Sequence, residues 1–414
     1  MTMSIATEVY TPGTNLSAQD LIAAARDMRE RLRDQQEAAE GLGGYTQEIH
    51  EEMLSKGLYH LLTPKAFGGL EMSVGTFAEV VMEIAQGDPG SGWCYSLGHG
   101  HALSTAAWWP ADVQEEIYTT PRGYFRASQS MPPSGTAKKV DGGYIINARS
   151  PYQSGSPYST HATVHVMLEG GDEKNPTFVH AIVPEAQYSR VDDWGGDAIL
   201  GMRSSGSNSV LVENQFVPEK YVVSGDWLQL PEISTSPGAE LHQNSLYLGV
   251  PQTFLMTELA AVMVGTAYAA IDEYKEIITS RTTILPPRML RSQDPQHQRD
   301  IGTAIMMADS AKTIVLAVNQ RAAAWSEEAF RGGQPFTRAM DIKNFGELIQ
   351  AADLASEAVE LLYRSAGASA AKKGQRMQRY MRDAQMYRTH NVAQYAQIAQ
   401  RIGAVNVGEA KSIY

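Results

Sequence analysis

The chain has 414 residues, 43% hydrophobic and 19% charged, a globular composition with enough apolar residues for two or three domains. Its formal charge is -12 and no Lys/Arg run stands out, which argues against nucleic acid as a partner. The single cysteine, Cys94, excludes an intramolecular disulfide and a Cys-rich zinc site, and no metal is expected.

The opening MTMSIATEVYTPGTN has neither a basic segment nor an apolar core, so no secretory signal is expected. The longest apolar stretch, Leu259 to Ile271, is too short to span a bilayer and reads as a buried helix. A cytoplasmic protein without a membrane partner fits these features.

Three zones follow in chain order. Residues 1–122 read as a helical N-terminal domain. SAQDLIAAARDMRERLRDQQEAAE forms one predicted helix with Ser17 as N-cap, TQEIHEEMLSKGLYHLL a second with Gly57 near its end, and VGTFAEVVMEIAQGD a third stopped by Gly87 and Pro89. Residues 123–225 hold short runs bounded by Gly, Ser and Pro: GGYIINA, ATVHVML, FVHAIVP and SVLVENQFVP. They predict strands of a middle antiparallel β domain. Residues 226–414 return to long helical runs and read as a helical bundle domain.

Few motifs announce chemistry. GLGG at 41–44 follows a helix rather than a strand, so it is no dinucleotide fingerprint, and there is no P-loop, HExxH or GxSxG. Ser154 and Ser156 flank Gly155 in a turn of the β zone, which is ordinary turn chemistry when taken alone. His99 and His101 stand at i and i+2 beside Trp93 and Tyr95, so on a helix at most one of the pair faces a pocket. In the closing MRDAQMYRTHNVAQYAQIAQRIG, Asp383, Tyr387, His390, Gln394, Gln397 and Arg401 share one arc of a predicted continuous helix. That stripe is either a solvated face or the wall of a polar cavity in which His390 handles protons.

Three segments resemble the acyl-CoA dehydrogenase superfamily: GLYHLLTPKAFGGLEMS (57–73), WGGDAILGMRSSGSNSVLVENQFVPEKYV (194–222) and YMRDAQMYRTH (380–390). The resemblance implies an acyl-CoA dehydrogenase-like fold: a helical N-terminal domain, a β domain and a C-terminal four-helix bundle, usually in a dimer or tetramer, with flavin between the β domain and the bundle. Dehydrogenases of this kind need a carboxylate base. Counted from Arg382, its position is Asn391, an amide that cannot serve, while Glu258 stands where a minority of dehydrogenases carry it.

Other segments resemble the two-component (group D) flavin-dependent monooxygenases of the same superfamily. They are PPSGTAKKVDGGYIINARSPYQSG (132–155), the DPGSGW stretch at 88–93 with the later His101, and the spacing from Arg382 to His390. NARSP (147–151) departs from the Gly-x-Trp usual there. This resemblance implies an oxygenase taking reduced FMN or FAD from a separate NAD(P)H:flavin reductase. With O2 and through a C4a-hydroperoxyflavin, it would hydroxylate an aromatic or heteroaromatic molecule of phenol, indole or polycyclic type. It implies Ser154 beside flavin N5, His390 at the peroxide, and Ser128, Ser134, Arg203, Ser205 and Ser207 around the flavin. Trp93, Tyr95, His101 and Glu258 would line the substrate pocket of a homotetramer or homodimer. The alternatives are a flavin dehydrogenase with Glu258 as base and a catalytically idle binding protein on the same scaffold.

Overall fold

In a computed structural model the protein is described over residues 15–171, 175–225, 227, 230–249 and 251–409. Residues 1–14, which carry most of the segment where no secretory signal is expected, lie outside them.

The first predicted helix is three: α1 (Ala18–Asp27), α2 (Arg29–Asp34) and α3 (Gln36–Leu42), interrupted at Met28 and Gln35. Ser17 closes a capping box on α1, its hydroxyl accepting from the Asp20 N–H while the Asp20 carboxylate accepts from the Ser17 N–H. α4 (Gln47–Ser55) is capped by Thr46 and followed by left-handed Gly57. α5 (Val74–Gly87) ends where Asp88 caps α6 (Pro89–Trp108), with Pro89 in the first turn, where a missing N–H costs nothing. Almost every residue of α6 is buried, so it is a core helix and carries few charges. α7 (Ala111–Tyr118) completes the N-terminal helices.

The strands are β1 (Ala127–Gln129), β2 (Gly135–Val140), β3 (Gly143–Ser150), β4 (His161–Leu168), β5 (Phe178–Pro184), β6 (Ser189–Arg190), β7 (Val210–Pro218) and β8 (Val222–Ser224). They form one sheet in the order β6-β7-β3-β2-β4-β5-β8, with β1 also on β4. The expected antiparallel sheet is mixed. The 151–160 connection carries the chain past the end of β2, so β4 runs parallel to both β2 and β1. Valines and alanines of β2–β5 and β7 form the sheet's own core.

A two-strand pair, β9 (Glu232–Ile233) with β10 (Phe336–Thr337), and the short α8 (Pro237–His242) lead into the C-terminal helices. α9 (Pro251–Ser280), α10 (Pro295–Phe330), α11 (Arg338–Ala366) and α12 (Arg376–Arg388) make the four-helix bundle, with α5 and α6 packed on α9. α9 and α10 are each long and apolar enough to cross a bilayer, which the Leu259–Ile271 stretch alone did not indicate. The apolar stretch of α9 is 89% buried inside the fold, that of α10 only 28%.

The closing helix is broken. α12 stops at Arg388, residues Asn391–Ala393 make a single 3-10 turn, and α13 (Tyr395–Asn406) starts afresh. Asp383 and Tyr387 are buried on α12, whereas Gln397 and Arg401 are exposed on α13. The predicted continuous polar stripe does not exist. His390 sits at the break with extended backbone, and this turn gives it a direction that a regular helix would not.

Candidate functional site

A cavity of about 690 Å³ lies where α6, the sheet loops, α9, α11 and the end of α12 meet, a size ordinary for a cofactor or small-molecule site. Its walls are mainly apolar, and the polar groups are few and specifically held.

Four side chains form a chain of hydrogen bonds along one wall. Trp93 on α6 donates its indole N–H to Ser154 Oγ at 3.0 Å; Ser154 Oγ meets Ser207 Oγ at 2.7 Å, which meets Ser205 Oγ at 2.7 Å. Close backbone approach sets the position of Ser154. Gly155 has φ +82°, and a Cβ there would lie 2.5 Å from the Cα of Gly98. Glycine is therefore required twice over, by its dihedral and by the room it leaves. The fully buried Arg126 fastens the junction, its Nη2 donating to the carbonyls of Cys94 (3.0 Å) and Gly155 (3.2 Å). Its guanidinium lies over the rings of Tyr59 (4.9 Å) and Tyr45 (5.6 Å), a cation–π setting in place of a carboxylate partner.

Two imidazoles face the cavity with opposite polarity. The Val392 N–H donates to Asn391 Oδ1 at 2.9 Å and also points at His390 Nδ1 at 3.4 Å; a neutral ring accepting there carries its proton on Nε2. His101 Nδ1 lies 2.8 Å from the Ala127 carbonyl, which can only accept, so its Nε2 is bare. Burial pushes both down to about 4, and both are neutral at physiological pH. His390 also packs edge-on to Trp93, with ring centroids 5.8 Å apart.

Of the expected site residues, Trp93, His101, Ser154, Ser205, Ser207, Glu258 and His390 line this one cavity. Four do not. Tyr95, two positions on from Trp93, turns to the other side of α6 and donates to the Leu58 carbonyl at 2.7 Å. Ser128 is wholly buried on β1, behind the wall formed by Gln129, Ser130 and Met131. Ser134 turns back onto the His165 carbonyl. Arg203 is occupied by the Ile199 carbonyl at 2.9 Å and the Asp197 carboxylate at 3.0 Å. His99 likewise packs among Tyr59, Phe77 and Tyr95, away from the cavity, as the i, i+2 spacing requires of one of the pair.

Sequence reasoning missed Arg126, which has no motif around it, and the roles of Asp88 and Asp383, which it named only as members of motifs and which hold the 202–205 turn as buried carboxyls. Asp383 Oδ1 accepts from the Met202 N–H at 2.6 Å, and Asp88 Oδ2 from the Ser204 hydroxyl at 2.7 Å. Burial, reinforced by Asp88, raises Asp383 to about 7.

A hydroxyl row, a neutral imidazole donor and aromatic walls suit a flat heterocycle with polar edges, and the residues present fit a flavin. Comparison with known proteins agrees with the architecture. The family models for the acyl-CoA dehydrogenase N-terminal and C-terminal domains match residues 17–119 and 257–395. The chain belongs to the acyl-CoA dehydrogenase superfamily. It is 26% identical over 415 residues to the p-hydroxyphenylacetate 3-hydroxylase oxygenase component of Acinetobacter baumannii, covering 97% of this chain and 92% of the relative. To the flavin-dependent monooxygenase oxygenase subunit HsaA of Rhodococcus jostii it is 27% identical over 366 residues, 87% of this chain and 91% of the relative. The crystal structure of the HsaA monooxygenase from M. tuberculosis superposes with a TM-score of 0.83 over 95% of this chain and 98% of that one, at 23% identity, a match of fold.

Proposed function

We propose that the chain is the oxygenase component of a two-component flavin-dependent monooxygenase, inserting one atom of O2 into an aromatic or heteroaromatic small molecule. It would take reduced FMN or FAD by diffusion from a separate NAD(P)H:flavin reductase. The observation that carries this reading is a neutral imidazole, His390, facing the same cavity as the anchored hydroxyl of Ser154, in a chain whose relatives are named as oxygenase components.

The reduced flavin supplies the electrons and the carbon at which O2 is activated. The protein's part is positional and protonic. Ser154 Oγ, fixed between Trp93 and Ser207, stands ready to hold an N–H at the ring edge in place. His390 donates from Nε2 to oxygen held in the cavity. Being neutral, it hydrogen-bonds without delivering a full proton. The bare Nε2 of His101 receives an O–H or N–H of the substrate. Apolar walls keep out the water that would otherwise divert the oxygen.

A dehydrogenase reading would need Glu258 as its base. Burial raises Glu258 well above the usual carboxylate range, which disfavours the ionised form that a base needs, and Asn391 offers no carboxylate in its stead. A cytoplasmic setting suits an enzyme fed by diffusing reduced flavin and carrying a single buried, unpaired cysteine.

The deciding experiment mixes the protein and anaerobically reduced FMN or FAD with oxygenated buffer in a stopped-flow spectrometer. A long-lived absorbance transient distinct from reduced and oxidised flavin supports the oxygenase. Direct reoxidation without one, together with bleaching of bound oxidised flavin by an acyl thioester, would establish the dehydrogenase instead.

A further inference from the structure

Glu258 is the least explained group in the cavity. It is fully buried on α9, and neither carboxyl oxygen has a hydrogen-bond partner among the described residues. An isolated buried carboxyl is costly, and proteins remove such groups unless something uses them. Room has been made for this one. A Cβ on Gly100 of α6 would lie 2.0 Å from Glu258 Oε1 and 3.3 Å from the Phe254 ring, so only glycine at 100 lets the carboxyl occupy its place. Among the described residues no ion pair involves Glu258, and burial is what raises its carboxyl.

We propose that Glu258 is a substrate-recognition residue that hydrogen-bonds an oxygen on the aromatic ring of the substrate, and so selects hydroxylated rings over bare ones. This rests on the cavity being the substrate site of the oxygenase. A neutral carboxyl has one donor and one acceptor, and both are unused. A hydroxyl group both accepts and donates, so it is the smallest group that can satisfy the pair without creating charge. A cationic amine would have to ionise the carboxyl and hold an ion pair away from water, where desolvation works against it. The assignment complements His101, whose bare nitrogen rewards donors but cannot recognise an acceptor oxygen. Arg338, at the start of α11, also lines the cavity.

The test is equilibrium binding of naphthol, naphthalene and a cationic naphthylmethylamine to the full-length protein, with oxidised flavin present and without reductant. The wild type should prefer naphthol to naphthalene. Glu258→Gln keeps a donor and an acceptor and should retain the preference. Glu258→Leu should reduce it about tenfold, the loss of one to two buried hydrogen bonds, while naphthalene binds as well or better. An undiminished preference in Glu258→Leu, or tighter binding of the amine than of naphthol by the wild type, overturns the proposal. Because the readout involves neither O2 nor reduced flavin, its failure leaves the oxygenase reading standing; only the missing stopped-flow transient removes that.

Discussion

At the residue scale, the proposed function turns on which proton each imidazole keeps. Replacing His390 by Ala removes the Nε2 donor without touching the Ser154–Ser207 row. Flavin affinity should stay within a few-fold, while oxygenated product falls about 10- to 100-fold and hydrogen peroxide rises to match. Equal coupling of oxygen to product in this variant would remove His390 from its role. The same burial sets a pH limit. His101 and His390 have folded values near 4, below the unfolded 6.5. Their contribution to stability is therefore fully present above about pH 6.5 and is lost as pH falls towards 4. Much at this scale was legible. The i, i+2 spacing of His99 and His101 allowed only one to face a pocket, and His101 does. Tyr95 was not legible in the same way, because the resemblance supplied a neighbourhood and only the turn of α6 says which way a side chain points. Arg126 was hidden because a lone arginine between Phe125 and Ala127 carries no pattern.

At the scale of elements, the site depends on three pieces of backbone meeting closely: α6, the 154–156 turn and the 202–205 turn. Gly155→Ala places a Cβ against Gly98 in a dihedral that L-residues avoid. It should cost roughly 1–3 kcal/mol and lower Tm by several degrees, with weaker flavin binding as the 154–156 turn moves off α6. The 202–205 turn hangs on Asp383, whose folded value near 7 exceeds its unfolded 3.8. Above 3.8 the unfolded chain loses its proton while the folded one keeps it, so stability falls as pH rises until about 7. Asp383→Asn still accepts from the Met202 N–H but never ionises. The Tm difference in favour of the variant should therefore grow between pH 4.5 and 7 and then level off; a constant difference would mean that the carboxyl titrates elsewhere. Helices and strands were readable from periodicity, but the break at His390 was not. Thr389–Gln394 contains neither Gly nor Pro, and the break is held locally by the Gln394 amide, which donates to the carbonyls of Arg388 and His390.

At the scale of the molecule, α10 carries the less covered apolar face of the bundle's two longest apolar helices. It is long and apolar, only 28% of its apolar stretch is covered, and Met306 and Ile305 stand 72% and 39% exposed. Large apolar side chains exposed on the outer helix of a bundle mark an interaction surface. The family resemblance implies a dimer or tetramer, and if copies of the chain do assemble symmetrically, as most soluble homo-oligomers do, this face is the surface they would bury. The cavity proposed for flavin and substrate is lined from α6, the sheet loops, α9, α11 and the end of α12, with no described residue of α10. Assembly and chemistry should then separate. Met306→Lys puts a charge into that surface and should shift the protein to a smaller species in sedimentation velocity and lower its Tm, increasingly so on dilution. The fraction of O2 coupled to product per chain should be retained. An unchanged sedimentation coefficient would show that α10 is not where copies meet. Loss of coupling together with assembly would mean that the cavity is completed only by a neighbour.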